Sequence, residues 1–134
     1  MSNQYAVECD CGAVSLILSG EPKVRGFCHC EDCRDLLKIP YHSVTAWDAD
    51  KVSVSKGEDQ LVYFQHPSKR MQRVYCKGCG ETLFNTNAMG WRIVSQLLIR
   101  KCLGDELPDA LQSQSHFFYD RRIVDINDSL PKRP

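Results

Sequence analysis

Seven of the eight cysteines fall into three tight clusters. These are Cys9-Asp10-Cys11, Cys28-His29-Cys30-Glu31-Asp32-Cys33 and Cys76-Lys77-Gly78-Cys79. Thiols at such spacings are metal-ligand pairs, and a shared ion forces distant parts of a chain together. A structural zinc is closed by four thiolate or imidazole ligands. Seven thiolates therefore divide into four and three. The expectation is one saturated structural ion and a second ion with an open coordination position, where substrate chemistry can occur.

Length predicts a single domain over residues 1–134. Lys plus Arg and Asp plus Glu each number 17. A net charge of zero supplies no drive toward nucleic acid or anionic membrane. No run approaches the roughly 20 apolar residues of a membrane span. Met1 to Tyr5 shows no basic segment followed by an apolar one, so no secretion signal is predicted. The expected location is the cytoplasm, where thiols stay reduced and metal ligation is favoured over disulfides.

Short β segments recur between turn signals. Ala13 to Leu18 is apolar, and Lys51 to Lys56 alternates with Val52 and Val54 on one face. Gly57-Glu58-Asp59 turns into Gln60 to Gln65, and Met71 to Tyr75 leads into the third cluster. Phe117 to Ile126 is rich in aromatic and β-branched residues and is expected to be extended. Trp91 to Cys102 fits a helical stripe and a strand equally. Glu31 to Lys38 predicts a short helical turn. The fold class is mainly β, with antiparallel sheets pinned by metal and few short helices.

Cys76-x-x-Cys79-Gly80 has the form of a zinc knuckle, with Cys9 and Cys11 as the natural second pair. That pairing ties residue 9 to residue 79, so metal binding becomes folding free energy. Cys28, Cys30 and Cys33 converge on one ion if the chain leaves a strand at Cys30 and turns through Glu31-Asp32. On an extended stretch His29 faces away from both flanking cysteines. His42, His66, Asp32 and Asp35 are candidates to close this site. Three thiolates give a zinc site a formal charge of about −1, a weak Lewis acid suited to a soft ligand such as a thiol. Two closed structural ions, or a single zinc with the middle thiols free, are the alternatives.

The ordered set Cys9-x-Cys11-Gly12, Cys28-His29-Cys30-x-x-Cys33-Arg34 and Arg73-x-x-Cys76-x-x-Cys79-Gly80 resembles the glutathione-dependent formaldehyde-activating enzyme family. The similarity extends to the Gly57 turn, Leu61 to Phe64, Ser68, and the ending Asp128-x-Leu130-Pro131. The resemblance implies an Mss4-like fold of β-sheets around zinc, two ions per chain. It implies that Cys9, Cys11, Cys76 and Cys79 hold the structural zinc, and that Cys28, Cys30 and Cys33 hold the catalytic one. It implies a carbon–sulfur lyase that joins glutathione to formaldehyde as S-hydroxymethylglutathione. Arg34, Lys38, Lys69, Arg70 and Arg73 are candidates to hold the carboxylates of the tripeptide. A noncatalytic zinc-stabilised binding module and a thiol redox enzyme using Cys102 are the rival readings.

Outside the clusters, Cys102 reads as a small buried hydrophobe. His29 reads as a hydrogen-bonded structural histidine. Tyr41 and His42 are candidates for a wall of the open site. His66 and His116 read as loop or surface residues, and Trp47 and Trp91 as core or pocket wall.

Overall fold

Alternating apolar and polar residues, interrupted every few positions by Gly, Pro or Asp, favour short strands over long helices. The computed structural model describes residues 3–134. Among them, ten strands and two α-helices occur in the order β1 (Gln4–Glu8), β2 (Ser15–Ser19), β3 (Val24–Cys28), α1 (Glu31–Leu37), β4 (His42–Trp47), β5 (Val52–Lys56), β6 (Leu61–Gln65), β7 (Gln72–Cys76), β8 (Thr82–Thr86), β9 (Arg92–Ser95), α2 (Gln96–Cys102) and β10 (Ser115–Phe117). They form a three-stranded sheet, β1-β2-β5, and a seven-stranded sheet, β10-β3-β4-β9-β8-β7-β6. The mainly β class expected from the sequence is what is observed.

The principal core joins both sheets. Leu16 and Leu18 of β2 and Val52 of β5 pack with Trp47, Val74, Leu83, Val94 and Ile99. Each fully buried aliphatic side chain contributes about 1.5–3 kcal/mol. Cys9 and Cys76 belong to the same cluster, so one end of the core is built from thiols. Trp47 and Thr45 satisfy each other in this core: Trp47 Nε1 donates to Thr45 Oγ1 at 2.8 Å, and Thr45 Oγ1 donates to the Val94 carbonyl at 2.8 Å.

The period-two rule splits β4 between two clusters. Trp47 belongs to the principal core. Val44 and Ala46 join a second cluster with Cys28, Cys33, Leu36, Met71 and Ile93. The larger sheet is thus apolar on both faces at its centre, whereas an antiparallel sheet commonly presents one polar face to water.

Two glycines fix the corners. Gly57 has φ +78°, and a Cβ there would lie 1.9 Å from the Ala13 carbonyl oxygen, so the β5–β6 corner rests directly on the turn after the first cysteine pair. A Cβ on Gly26 would lie 2.2 Å from the Ser115 carbonyl oxygen. Only glycine lets β10 lie alongside β3.

Three expectations need correction. The β10–β3 pairing is parallel, whereas the other ladders between the ten strands are antiparallel. Phe117 to Ile126 is not an extended segment: β10 stops at Phe117, a 3-10 turn follows at Tyr119–Arg121, and Ile123 is exposed. The backbone groups around this turn bond to the returning tail instead of a strand ladder: Tyr119 N–H donates to the Arg133 carbonyl at 2.8 Å. Trp91 to Cys102 is strand and then helix. Ser95 caps the change, its Oγ accepting from Leu97 N–H at 3.1 Å, and Leu97, expected on the buried stripe with Ile93, Val94, Leu98 and Cys102, is left 69% exposed. The short helix after the middle cluster forms where expected, over Glu31–Leu37.

Candidate metal centres and the adjoining cleft

Cys9, Cys11, Cys76 and Cys79 come together although the two pairs lie far apart in sequence. Their ligand atoms lie within 4.8 Å of one another. Two tight turns present them. Gly12 N–H donates to the Cys9 carbonyl at 3.0 Å, and Gly80 N–H donates to the Cys76 carbonyl at 2.8 Å. A cationic clasp locks the turns: Lys101 Nζ donates to Asp10 Oδ1 at 2.6 Å and Glu81 Oε1 at 2.7 Å. The Asp10 N–H also donates to Glu81 Oε1, at 2.8 Å. Both acids hold the Lys101 ammonium well above its ordinary pKa despite partial burial.

Sulfur spacing tests the fit to a metal. Zn–S bonds near 2.3 Å in a tetrahedron place sulfurs about 3.8 Å apart. Cys9 and Cys11 Sγ are 3.7 Å apart, and Cys11 and Cys76 Sγ 3.6 Å. A disulfide needs about 2.05 Å, and all eight cysteines are free thiols. The Glu81 backbone N–H pulls the Cys79 thiol down to about 7. The Ala13 backbone lowers Cys11 as well, but competition with Cys76 and Cys9 for protons outweighs it and pushes Cys11 up to about 12. Such a set cannot be fully ionised without a cation among the sulfurs.

Cys28, Cys30 and Cys33 form the second group, again within 4.8 Å of one another. The strand ends at Cys28, two residues earlier than expected, and Cys30 becomes the N-cap of α1. Its Sγ accepts the Cys33 N–H at 3.4 Å, which stands the helix directly on the cluster. Cys28 Sγ is 3.3 Å from Cys30 Sγ and 3.6 Å from Cys33 Sγ. Hydrogen bonds from Cys28 and then Cys33 hold the Cys30 thiol down to about 2, while Cys28 rises to about 12 and Cys33 is pushed up strongly. One thiolate is stabilised by two protonated neighbours, the arrangement a bound divalent cation would replace. The donor set and spacing fit a thiophilic metal at both groups.

No fourth His, Cys or carboxylate joins the three sulfurs among the described residues. His66 Nδ1 accepts from the Ser68 N–H at 3.1 Å, and Asp32 and Asp35 pair with Lys69 at 3.6 and 3.0 Å. His42 pairs with Cys28 across the ladder and is buried, and burial holds its imidazole down to about 4.

The three sulfurs open instead on a cleft of about 640 Å³. Val44, Ala46 and Ile93 floor it, and Met71, Met89, Trp91 and Phe117 wall it. Tyr41 and His42, expected in that wall, are elsewhere: Tyr41 stacks on His29 at 5.1 Å on the other side of the strand. Of the five basic candidates only Arg70 reaches the cleft. Arg34 Nε donates to the His29 carbonyl, Lys38 caps α1, and Lys69 is held by its two aspartates. Arg73 braces the knuckle through Thr82 Oγ1 at 2.7 Å and the Gly80 carbonyl at 2.9 Å. Arg121, which sequence reasoning missed, also lines the cleft and is paired with Glu31 at 3.1 Å.

Behind the cluster lies a polar chain. His29 Nε2 and His116 Nδ1 are 2.9 Å apart, and His116 Nε2 meets Asp128 Oδ2 at 2.8 Å. Both imidazoles are 0% exposed. His29 is the hydrogen-bonded histidine the sequence suggested, but His116 is a correction. It is buried because parallel pairing with β3 carries it inward and the tail returns over it, with His116 N–H donating to the Pro131 carbonyl at 2.8 Å. Cys102 joins neither sulfur group. It is half-buried, with its Sγ 3.3 Å from the Glu8 nitrogen.

Fold and site together define a mostly β protein with a four-thiol and a three-thiol group, each able to hold a metal ion. Residues 4–121 match the model of the glutathione-dependent formaldehyde-activating enzyme family, and the chain belongs to that family. It is 35% identical over 82 residues to the uncharacterized lyase C29B12.13 of Schizosaccharomyces pombe (strain 972 / ATCC 24843), a match spanning 60% of this chain and 56% of that protein. A crystal structure of a Rhodobacter sphaeroides protein aligns with a TM-score of 0.49 at 18% identity, over 73% of this chain and 86% of the other. No helix among the described residues is long and apolar enough to cross a membrane.

Proposed function

We propose that this protein is a zinc-dependent carbon–sulfur lyase that makes and breaks the bond between a thiol such as glutathione and an aldehyde. The observation that carries the proposal is the convergence of Cys28, Cys30 and Cys33 at a cleft, with no fourth protein ligand joining them among the described residues. Cys9, Cys11, Cys76 and Cys79 would hold a structural zinc, and the single domain would close around it. A zinc ion on the three sulfurs would lower the pKa of an arriving thiol and polarise a carbonyl oxygen. Eight unpaired thiols suit a reducing compartment, the cytoplasm. The family description supports glutathione and formaldehyde as reactants, and the lyase name of the fission-yeast relative supports the reaction class.

The chain's own residues do the following. The three cysteines supply the ligand sulfurs, and the Cys33 N–H holds Cys30 in place. Arg70 at the rim offers a guanidinium to a carboxylate of the thiol substrate. The apolar walls limit water around the reacting carbon. In the addition, the thiol sulfur bonds to the aldehyde carbon, the C=O π bond breaks, and the thiol proton ends on the aldehyde oxygen. No redox partner is needed.

Exchange NMR tests this. With ¹³C-formaldehyde and glutathione at equilibrium, the protein is expected to raise the interconversion rate of free and thiol-bound carbon in proportion to its concentration. Cys30→Ser should abolish the increase. Exchange that stays at the uncatalysed rate over the full concentration range refutes the lyase reading.

A further inference from the structure

We infer that the aldehyde-side group accommodated by this cleft is a hydrocarbon tail of several carbons, larger than the single carbon of formaldehyde. The inference rests on the proposed thiol–aldehyde reaction and specifies its substrate class. The three cysteines line the cleft, and their sulfurs fix where the reacting carbon sits. Away from them the surface is built by Val44, Ala46, Ile93, Met71, Met89 and Trp91. None of these six carries a charged group, and their one strong hydrogen-bonding side-chain atom is the indole N–H of Trp91; Asn87 also lines the cleft, with its Oδ1 accepting from the Met89 and Trp91 N–H groups.

Register explains why this surface exists. Ala46 pairs with Val24 on one side and with Ile93 on the other, so three neighbouring strands contribute apolar side chains to the same face. The volume, about 640 Å³, is on the order of twenty times a water molecule's share of the liquid. A hydroxymethyl group fills a small fraction of that.

Glutathione alone does not account for the remainder. It carries two carboxylates, an ammonium and two amides, and these need polar partners. The charged side chains lining the cleft are Glu31, Asp32, Arg70 and Arg121. Arg121 is already paired with Glu31, and Asp32 with Lys69. Arg70 has no carboxylate within 4.0 Å among the described residues, which suits a substrate carboxylate at the rim. The apolar interior is then left for the substituent on sulfur. Met71 and Met89 are unbranched and adaptable, so they tolerate chains of differing shape.

The test uses S-methyl-, S-butyl- and S-hexylglutathione as unreactive probes, titrated against the protein by tryptophan fluorescence. Trp91 lines the cleft, and Trp47 is sealed in the principal core as a constant background. Burying each methylene should tighten Kd about four-fold, on the order of 50-fold from methyl to butyl. Met89→Asp places a charge on a side chain that is 66% exposed, so the fold should tolerate it. It should reduce the butyl-to-methyl affinity ratio several-fold. Equal affinity for the methyl and butyl probes overturns the inference while leaving the glutathione reading intact. If no glutathione derivative binds but plain alkanethiols bind with the same chain-length dependence, the cleft holds the thiol's own tail, and both the aldehyde-side inference and the glutathione reading fail.

Discussion

His116→Phe is expected to destabilise the protein by breaking the polar chain behind the middle cluster. The wild-type imidazole bridges His29 Nε2 at 2.9 Å and Asp128 Oδ2 at 2.8 Å. Phenylalanine fills much the same space but offers neither nitrogen. His29 is fully buried, so its Nε2 would lose its partner without gaining water. Leaving one buried polar group unsatisfied costs about 1–3 kcal/mol. For a domain of this size that lowers the melting temperature by about 3–12 °C. Thermal melts followed by circular dichroism read the shift. The double variant His29→Phe/His116→Phe removes both partners and should recover part of the loss, because replacing both members of a buried pair by apolar groups is close to neutral. The cycle should give a coupling of about 1–2 kcal/mol. A single variant that melts with wild type, or a double variant destabilised by the sum of the two singles, refutes the reasoning.

Other outcomes follow from the same geometry. Cys79→Ser should leave the chain largely unfolded, since structural zinc contributes about 10–16 kcal/mol in small zinc domains and total stability is only about 5–15 kcal/mol; Cys30→Ser should keep the far-ultraviolet dichroism and lose one metal equivalent. Gly57→Ala should lower stability by more than the roughly 1–2 kcal/mol of a left-handed alanine, because its Cβ would also meet the Ala13 carbonyl; an unchanged denaturation midpoint would show that the corner yields freely. Asp128 is held down to about 2 by Lys132 and then His116. Its folded pKa lies below its unfolded one, so its stabilisation is complete above about pH 4 and fades as pH falls through about 2. The ¹³C shift of its carboxyl should titrate near 2, and a midpoint at the ordinary aspartate value would contradict the assignment.

The cysteine groups were legible because ligand spacing is local, and tertiary structure only had to bring Cys9 and Cys11 to Cys76 and Cys79. The strands Val52–Lys56 and Leu61–Gln65 were legible because Gly57 marks the corner between them, although they join different sheets. β3 was expected only as the strand entering the middle cluster, with its end two residues too late, and β4 escaped notice since His42, at its start, read as chemistry and not as a strand terminus. The cleft was hidden for a different reason. Val24, Ala46 and Ile93 share a face only through a register that belongs to three strands at once. His116 looked like a loop residue because nothing near it in sequence announces a parallel pairing with Gly26 to Cys28, a pairing that depends on the missing side chain of Gly26.

Anomalous diffraction measured across the zinc absorption edge, on crystals grown without chelator, addresses the central claim most directly. The account predicts two peaks per chain: one surrounded by the sulfurs of Cys9, Cys11, Cys76 and Cys79, the other touched on the protein side only by those of Cys28, Cys30 and Cys33. A second peak closed by a side chain of the protein itself, or sulfurs at Cys28, Cys30 and Cys33 with no peak between them, would contradict it.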